Sequence, residues 1–99
     1  MTIHELINLL KAHKGITKVE VDTNVNNEGG ITERENGEIS LGSSNSYTLL
    51  EFLGILSSYD EDAIVVIPVD EDEETDGVQY EETEEQYVEF EDSGVVTIC

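Results

Sequence analysis

His4-Glu5-Leu6-Ile7-Asn8 opens like the helix of a zinc hydrolase, in which two histidines four residues apart hold the metal and the glutamate serves as base. Asn8 stands where the second histidine is needed, which leaves too few ligands for a tetrahedral site. Asp72-Glu73-Glu74-Thr75-Asp76-Gly77 puts acids at loop positions one, three and five and glycine at six, the opening of a calcium loop. The twelfth position is Thr83 where a bidentate glutamate is required, Glu82 falls one residue early, and no helix is expected on either side. Weak, nonspecific divalent binding is the chemistry left to these acids. Paired carboxylates could also act as general acid and base, but one of them would need a pocket that shifts its pKa. No stretch marks such a pocket, a glycine-rich phosphate loop, or a serine or cysteine nucleophile. The expectation is a binding protein and not an enzyme, with no cofactor and no metal.

The charge balance narrows what it binds. Lys11, Lys14, Lys18 and Arg34 face 24 carboxylates, a formal net charge of -20. Such a charge repels nucleic acid and anionic membranes and strains the compact state by self-repulsion. The single cysteine, Cys99, allows no intrachain disulfide, which fits a reducing cytosol. No apolar run approaches the ~18 residues of a spanning helix. Met1 leads straight into an amphipathic segment instead of a signal peptide, so a cytoplasmic protein is expected.

The elements that carry these residues are duplicated. Thr2 to Val21 lies over Thr48 to Ile67 at a constant offset of 46 residues. Both copies begin with a capping box, Thr2 with Glu5 and Thr48 with Glu51. Met1 with Leu6, and Tyr47 with Phe52, have the spacing of a hydrophobic staple. Ile3, Leu6, Ile7, Leu9 and Leu10 match Leu49, Phe52, Leu53, Ile55 and Leu56 as one apolar helical face. The helices should end near Gly15 and around Ser57 to Asp60, each followed by a strand. Thr17 to Val21 alternates, as a half-exposed or edge strand does; Ala63 to Ile67 is continuously apolar, as a central strand is, and Pro68 should close it. Asn36-Gly37 and Ser93-Gly94 signal hairpins that pair Ile31 to Glu35 with Glu38 to Leu41, and Tyr87 to Glu91 with Val95 to Ile98, the first through a type I′ turn.

The expected fold is α+β: a single domain, 1–99, of two helix-strand-hairpin repeats, with two helices packed on an antiparallel or mixed sheet. The repeats run over 1–42 and 47–99. The second is 11 residues longer, an acidic insertion near 69–79 that should form an exposed loop or strand extension. Charge follows the insertion. Residues 1–49 carry seven acids and all four bases, whereas residues 50–99 carry 17 acids and no base. On a strand, alternate residues lie about 6.7 Å apart on one face, which would set Glu85, Tyr87, Glu89 and Glu91 in a row with Val88 and Phe90 facing the core. A regular row of acids on a rigid sheet can occupy Lys and Arg groups that normally hold phosphate. Twenty charges correspond to about 34 Å of duplex DNA, close to the ~33 Å diameter of a compact chain this long.

Thr2-Ile3-His4-Glu5-Leu6-Ile7-Asn8-Leu9-Leu10 and Asp62-Ala63-Ile64-Val65-Val66-Ile67 resemble the helix and strand phrases of small phage-encoded proteins. The acidity is similar to that of phage DNA-mimic inhibitors of restriction or CRISPR nucleases. The resemblance implies a host-defence antagonist in the host bacterial cytoplasm and transfers no site residue. The expected function is occlusion of a basic nucleic-acid-binding groove in a host nuclease or regulator, without direct nucleic-acid or membrane binding. Asp70, Glu71, Asp72, Glu73, Glu74, Asp76, Glu81, Glu82, Glu84, Glu85, Glu89 and Glu91 are the expected contacts, with Tyr87 and Tyr80 as aromatic anchors whose alternative role is sheet packing. The alternatives are an acidic adaptor for a partner unrelated to nucleic acid, and a weak divalent-cation binder.

Overall fold

The computed structural model describes the chain except for residues 24, 26–28, 43–44 and 73–76 and the side chains of 71 and 72. In chain order the elements are α1 (Ile3–Ala12), β1 (Lys18–Val21), β2 (Thr32–Glu33), β3 (Ile39–Ser40), β4 (Asn45–Thr48), α2 (Leu49–Leu56), β5 (Val65–Asp72), β6 (Gly77–Glu82), a 3-10 turn (Glu85–Tyr87), β7 (Val88–Phe90) and β8 (Val95–Ile98).

Both helices start where their caps dictate. The Thr2 and Thr48 hydroxyls accept from the Glu5 and Glu51 amides, and each glutamate accepts from its threonine's amide in return. The Thr2 amide, and then its hydroxyl, hold the Glu5 carboxyl below the usual range. The second staple closes as a ring contact, Tyr47 to Phe52 at 5.5 Å. In the first, Met1 packs against the core that contains Leu6.

The fold is α+β, as expected, but built on two mixed sheets instead of one. Their strand orders are β4-β1-β8-β7 and β2-β3-β5-β6. Each helix-following strand pairs with the hairpin of the other repeat. β1 lies parallel to β8, Lys18 opposite Val95 and Val19 opposite Val96, and β5 lies parallel to β3, with Ile39 opposite Val65. The hairpins match as well: Thr32 pairs with Ser40 as Glu89 pairs with Thr97, and Glu33 with Ile39 as Phe90 with Val96. The helix starts complete the correspondence. Leu49 donates its amide to the Thr17 carbonyl at 3.1 Å, and Ile3 donates to Ala63 at 2.9 Å. The two halves therefore interlock, each supplying the strand against which the other closes its sheet.

The pairing decides one local expectation, that of a half-exposed strand for β1, and two others are corrected. β1 is internal, flanked by β4 and β8, so its alternation reflects one exposed face and not an edge. Pro68 does not close β5, which runs on to Asp72. Pairing with β3 covers Val65 and Val66, and from Pro68 onward β5 has only β6 beside it, with a bulge between Pro68 and Asp70. A proline is tolerated where one neighbouring strand is gone and at a bulge. The Asn36-Gly37 turn is not type I′. Gly37 donates to Arg34 and Arg34 donates to Glu38, which puts Glu35 and Asn36 at the centre and Gly37, at φ 89°, just after them. That is a three-residue loop closed by a left-handed glycine, repeated at Glu91 to Val95 with Gly94 at φ 91°.

One core fills the space between these elements. Ile3, Leu6 and Leu10 of α1 and Phe52 and Leu56 of α2 meet Val19, Val21, Val88, Val96 and Ile98 of the first sheet and Ile39, Val65 and Ile67 of the second. Each such side chain contributes about 1.5–3 kcal/mol of transfer free energy. Val65 to Pro68 is buried on both faces, whereas β1 is buried on alternate residues, so the second strand does lie deeper.

Candidate functional site

Strand alternation with Val19, Val21, Val88, Val96 and Ile98 facing inward turns the residues between them outward. The outer face of the β4-β1-β8-β7 sheet therefore carries a cross-strand row, Ser46-Glu20-Thr97-Glu89, fixed by the register. Asp22, just past β1, flanks this row on one side, and Glu91, just past β7, flanks it on the other. Together these six line an open groove of about 780 Å³. Glu20 and Glu89 sit two strands apart, about 9.6 Å between backbones, with Thr97 between them. Lys18 offsets part of the charge through Glu20, Nζ to Oε1 at 3.0 Å. Burial pushes the Cys99 thiol up, and the nearby Glu89 and Asp22 carboxylates add to that shift.

The second sheet, laid out in the same order, presents a different outer face. The row that corresponds to Ser46-Glu20-Thr97-Glu89 is Glu82-Val66-Ser40-Thr32. Val66 and Ser40 are only 2% and 1% exposed although neither belongs to the main core. On their side of the sheet the Arg34 guanidinium lies 3.8 Å from the Tyr80 ring centroid and pairs with Glu38. The one arginine of the chain is thus spent inside the molecule. In the first sheet the position matching Arg34 is Glu91, and the face stays open.

The expected contact residues divide among several places. Glu89 and Glu91 belong to the groove. Glu81 and Glu82 are on β6, and Glu82 takes the Met1 amino group. Asp70, Glu71 and Asp72 extend β5 beyond the reach of β3, so the start of the acidic insertion is a strand extension. Glu73, Glu74 and Asp76 lie outside the described residues, as does the start of the calcium-like loop, residues 73–76. Its flanks are the strands β5 and β6, with Asp72 opposite Gly77, and not helices. Among the described residues no group of His, Cys, Asp and Glu is placed to hold a metal.

The row of Glu85, Tyr87, Glu89 and Glu91 is broken at its start. Glu85 to Tyr87 form the 3-10 turn, with Tyr87 donating to the Glu84 carbonyl, so β7 begins only at Val88. Glu85 faces α1 beside Glu5 and Asn8, and Glu84 accepts from the Gln86 amide. Of the two tyrosines, Tyr80 is engaged by Arg34 and Tyr87 is 48% exposed. Val88 is buried as expected. Phe90 packs against the core and stacks on His13, ring centroids 3.6 Å apart.

Glu20 and Asp22 were absent from the expected contacts. Both lie in the less acidic half, and only the parallel pairing of β1 with β8 brings them beside Glu89. The signal available was Glu20 and Asp22 alternating with Val19 and Val21; its acidic partner across the sheet was not local. Comparison with known proteins finds no match among protein families, curated proteins or solved structures. No helix among the described residues is long and apolar enough to cross a membrane.

Proposed function

We propose that the protein is an inhibitor that binds a basic, nucleic-acid-handling protein of a bacterial cytoplasm and occupies the groove that would otherwise hold phosphates, in the manner of a phage anti-defence DNA mimic. The observation that carries this reading is the open outer face of the first sheet, where Glu20 and Glu89 on their strands and Asp22 and Glu91 just past the strand ends surround one groove. A fixed lattice of carboxylates can meet Lys and Arg side chains with little loss of its own freedom. Charge density supports the same reading. The molecule measures 44 × 26 × 22 Å, longer than the compact sphere expected from its length. Twenty net charges along 44 Å give one per about 2.2 Å, against one per ~1.7 Å for duplex DNA.

The adaptor reading has one observation in its favour, Leu50 on α2, which is 83% exposed and would suit an apolar contact. Capture separates the two. Immobilised protein is exposed to bacterial lysate cleared of nucleic acid, and bound proteins are eluted by rising salt. Inhibition by charge predicts basic nucleic-acid-binding proteins that elute as salt rises and lose duplex binding when the acidic protein is added back. Partners that hold through high salt and are released by Leu50→Ser would establish the adaptor and sink the mimic.

A further inference from the structure

A second, smaller hollow lies between Tyr87 and the bulged stretch of β5, with a volume of about 190 Å³. Pockets that bury small-molecule ligands run to about 300–1,000 Å³, so this one has room for a single long side chain. Cys99 is part of its lining, and the rest is of two kinds. Ile67 and Val69 form an apolar floor beside the exposed Tyr87 ring, and Glu81 and Glu82 stand at the margin. Glu82 already holds the Met1 amino group, while the Glu81 carboxylate has no ion-pair or hydrogen-bond partner among the described residues. An occupant must therefore combine an aliphatic stem with a cationic head that lies flat on an aromatic ring. Arginine meets both requirements, whereas lysine supplies the stem and the charge but not the planar face. The molecule already makes this combination once, with Arg34 over Tyr80 and paired to Glu38.

We propose that the notch takes an arginine side chain presented by the partner, its guanidinium over the Tyr87 ring and paired with Glu81, its stem along Val69. The inference rests on the reading above for the partner's basic character and adds the anchor that makes the contact selective. The groove on the first sheet supplies attraction to any cation; the notch distinguishes arginine from lysine.

The test uses two labelled peptides of one sequence, with arginine or lysine at the same positions, titrated with the intact protein at low salt. The arginine peptide should bind about fivefold more tightly, the size of an exposed cation–π contact. Glu81→Gln and Tyr87→Leu should each bring the ratio to one, while Glu33→Gln, an equal loss of charge from an exposed site on β2, should leave it intact. Circular dichroism checks that Tyr87→Leu folds; if it does not, Glu81→Gln, on an exposed side chain, decides alone. Equal affinity for the two peptides, or an unchanged ratio in Glu81→Gln, overturns the notch while salt-dependent binding keeps the wider proposal standing. No binding of either peptide at low salt overturns both.

Discussion

Gly37 and Gly94 occupy corresponding turns with nearly the same φ, 89° and 91°, yet they are not equivalent. A side chain at Gly37 would meet nothing within 4 Å; at Gly94 its Cβ would come 2.7 Å from the Gly15 carbonyl oxygen. Gly37→Ala should cost about 1–2 kcal/mol from the left-handed backbone alone. Gly94→Ala should cost measurably more, because backbone has to move and the Thr17 amide bonds to the Gly94 carbonyl at 2.8 Å. Urea unfolding of the two variants checks this, and equal losses would show that the Gly15 contact gives way freely. Residues whose partners are near in sequence were the ones the sequence disclosed. The partners in both capping boxes and in the Tyr47–Phe52 staple lie five positions apart or fewer, so the chain spells them out. Glu20 beside Glu89, and Arg34 over Tyr80, are set by pairings across the repeats, and no local pattern encodes those.

The two helices and six of the eight strands were legible in type and approximate extent, because a helical apolar stripe and a strand's alternation are local; β6 was read only as the insertion's loop or strand extension. Their partners were not. The hairpins paired as turn residues foretold, yet the parallel joins of β1 to β8 and β3 to β5 carry no signature of their own. β4 also escaped notice: Asn45 to Thr48 is short and polar, and it is a strand because β1 offers it an edge. Since each half lends a strand to the other's sheet, neither should fold alone. Fragments 1–42 and 47–99 should each lack a cooperative thermal transition, and mixing them should restore one. A fragment that melts cooperatively by itself would contradict the interlocked pairing.

For the whole molecule the governing quantity is 24 carboxylates against four bases. Lys18 and Arg34 are paired with Glu20 and Glu38, so little of the remaining repulsion is relieved internally. Screening should therefore stabilise the fold. Raising salt from about 10 mM to 1 M shortens the Debye length from ~30 to ~3 Å. The melting temperature should rise by about 5 °C, the equivalent of roughly 1 kcal/mol for a domain of this size. A flat or falling melting curve would mean that self-repulsion does not limit stability. That acidity was plain in the sequence; that Glu20, Asp22, Glu89 and Glu91 share one open sheet face was not, because the pairing of β1 with β8 that brings them together is not local. The interlocked sheets also set an order of events during synthesis. β1 waits 77 residues for β8, about 4–15 s at ordinary translation rates. Throughout that interval the apolar faces of α1 and β1 have no complete sheet to close on. Most of the acids emerge in the same interval, since 17 of the 24 follow residue 49. Mutual repulsion between neighbouring nascent chains should then oppose association of the unfinished core until the last strand arrives.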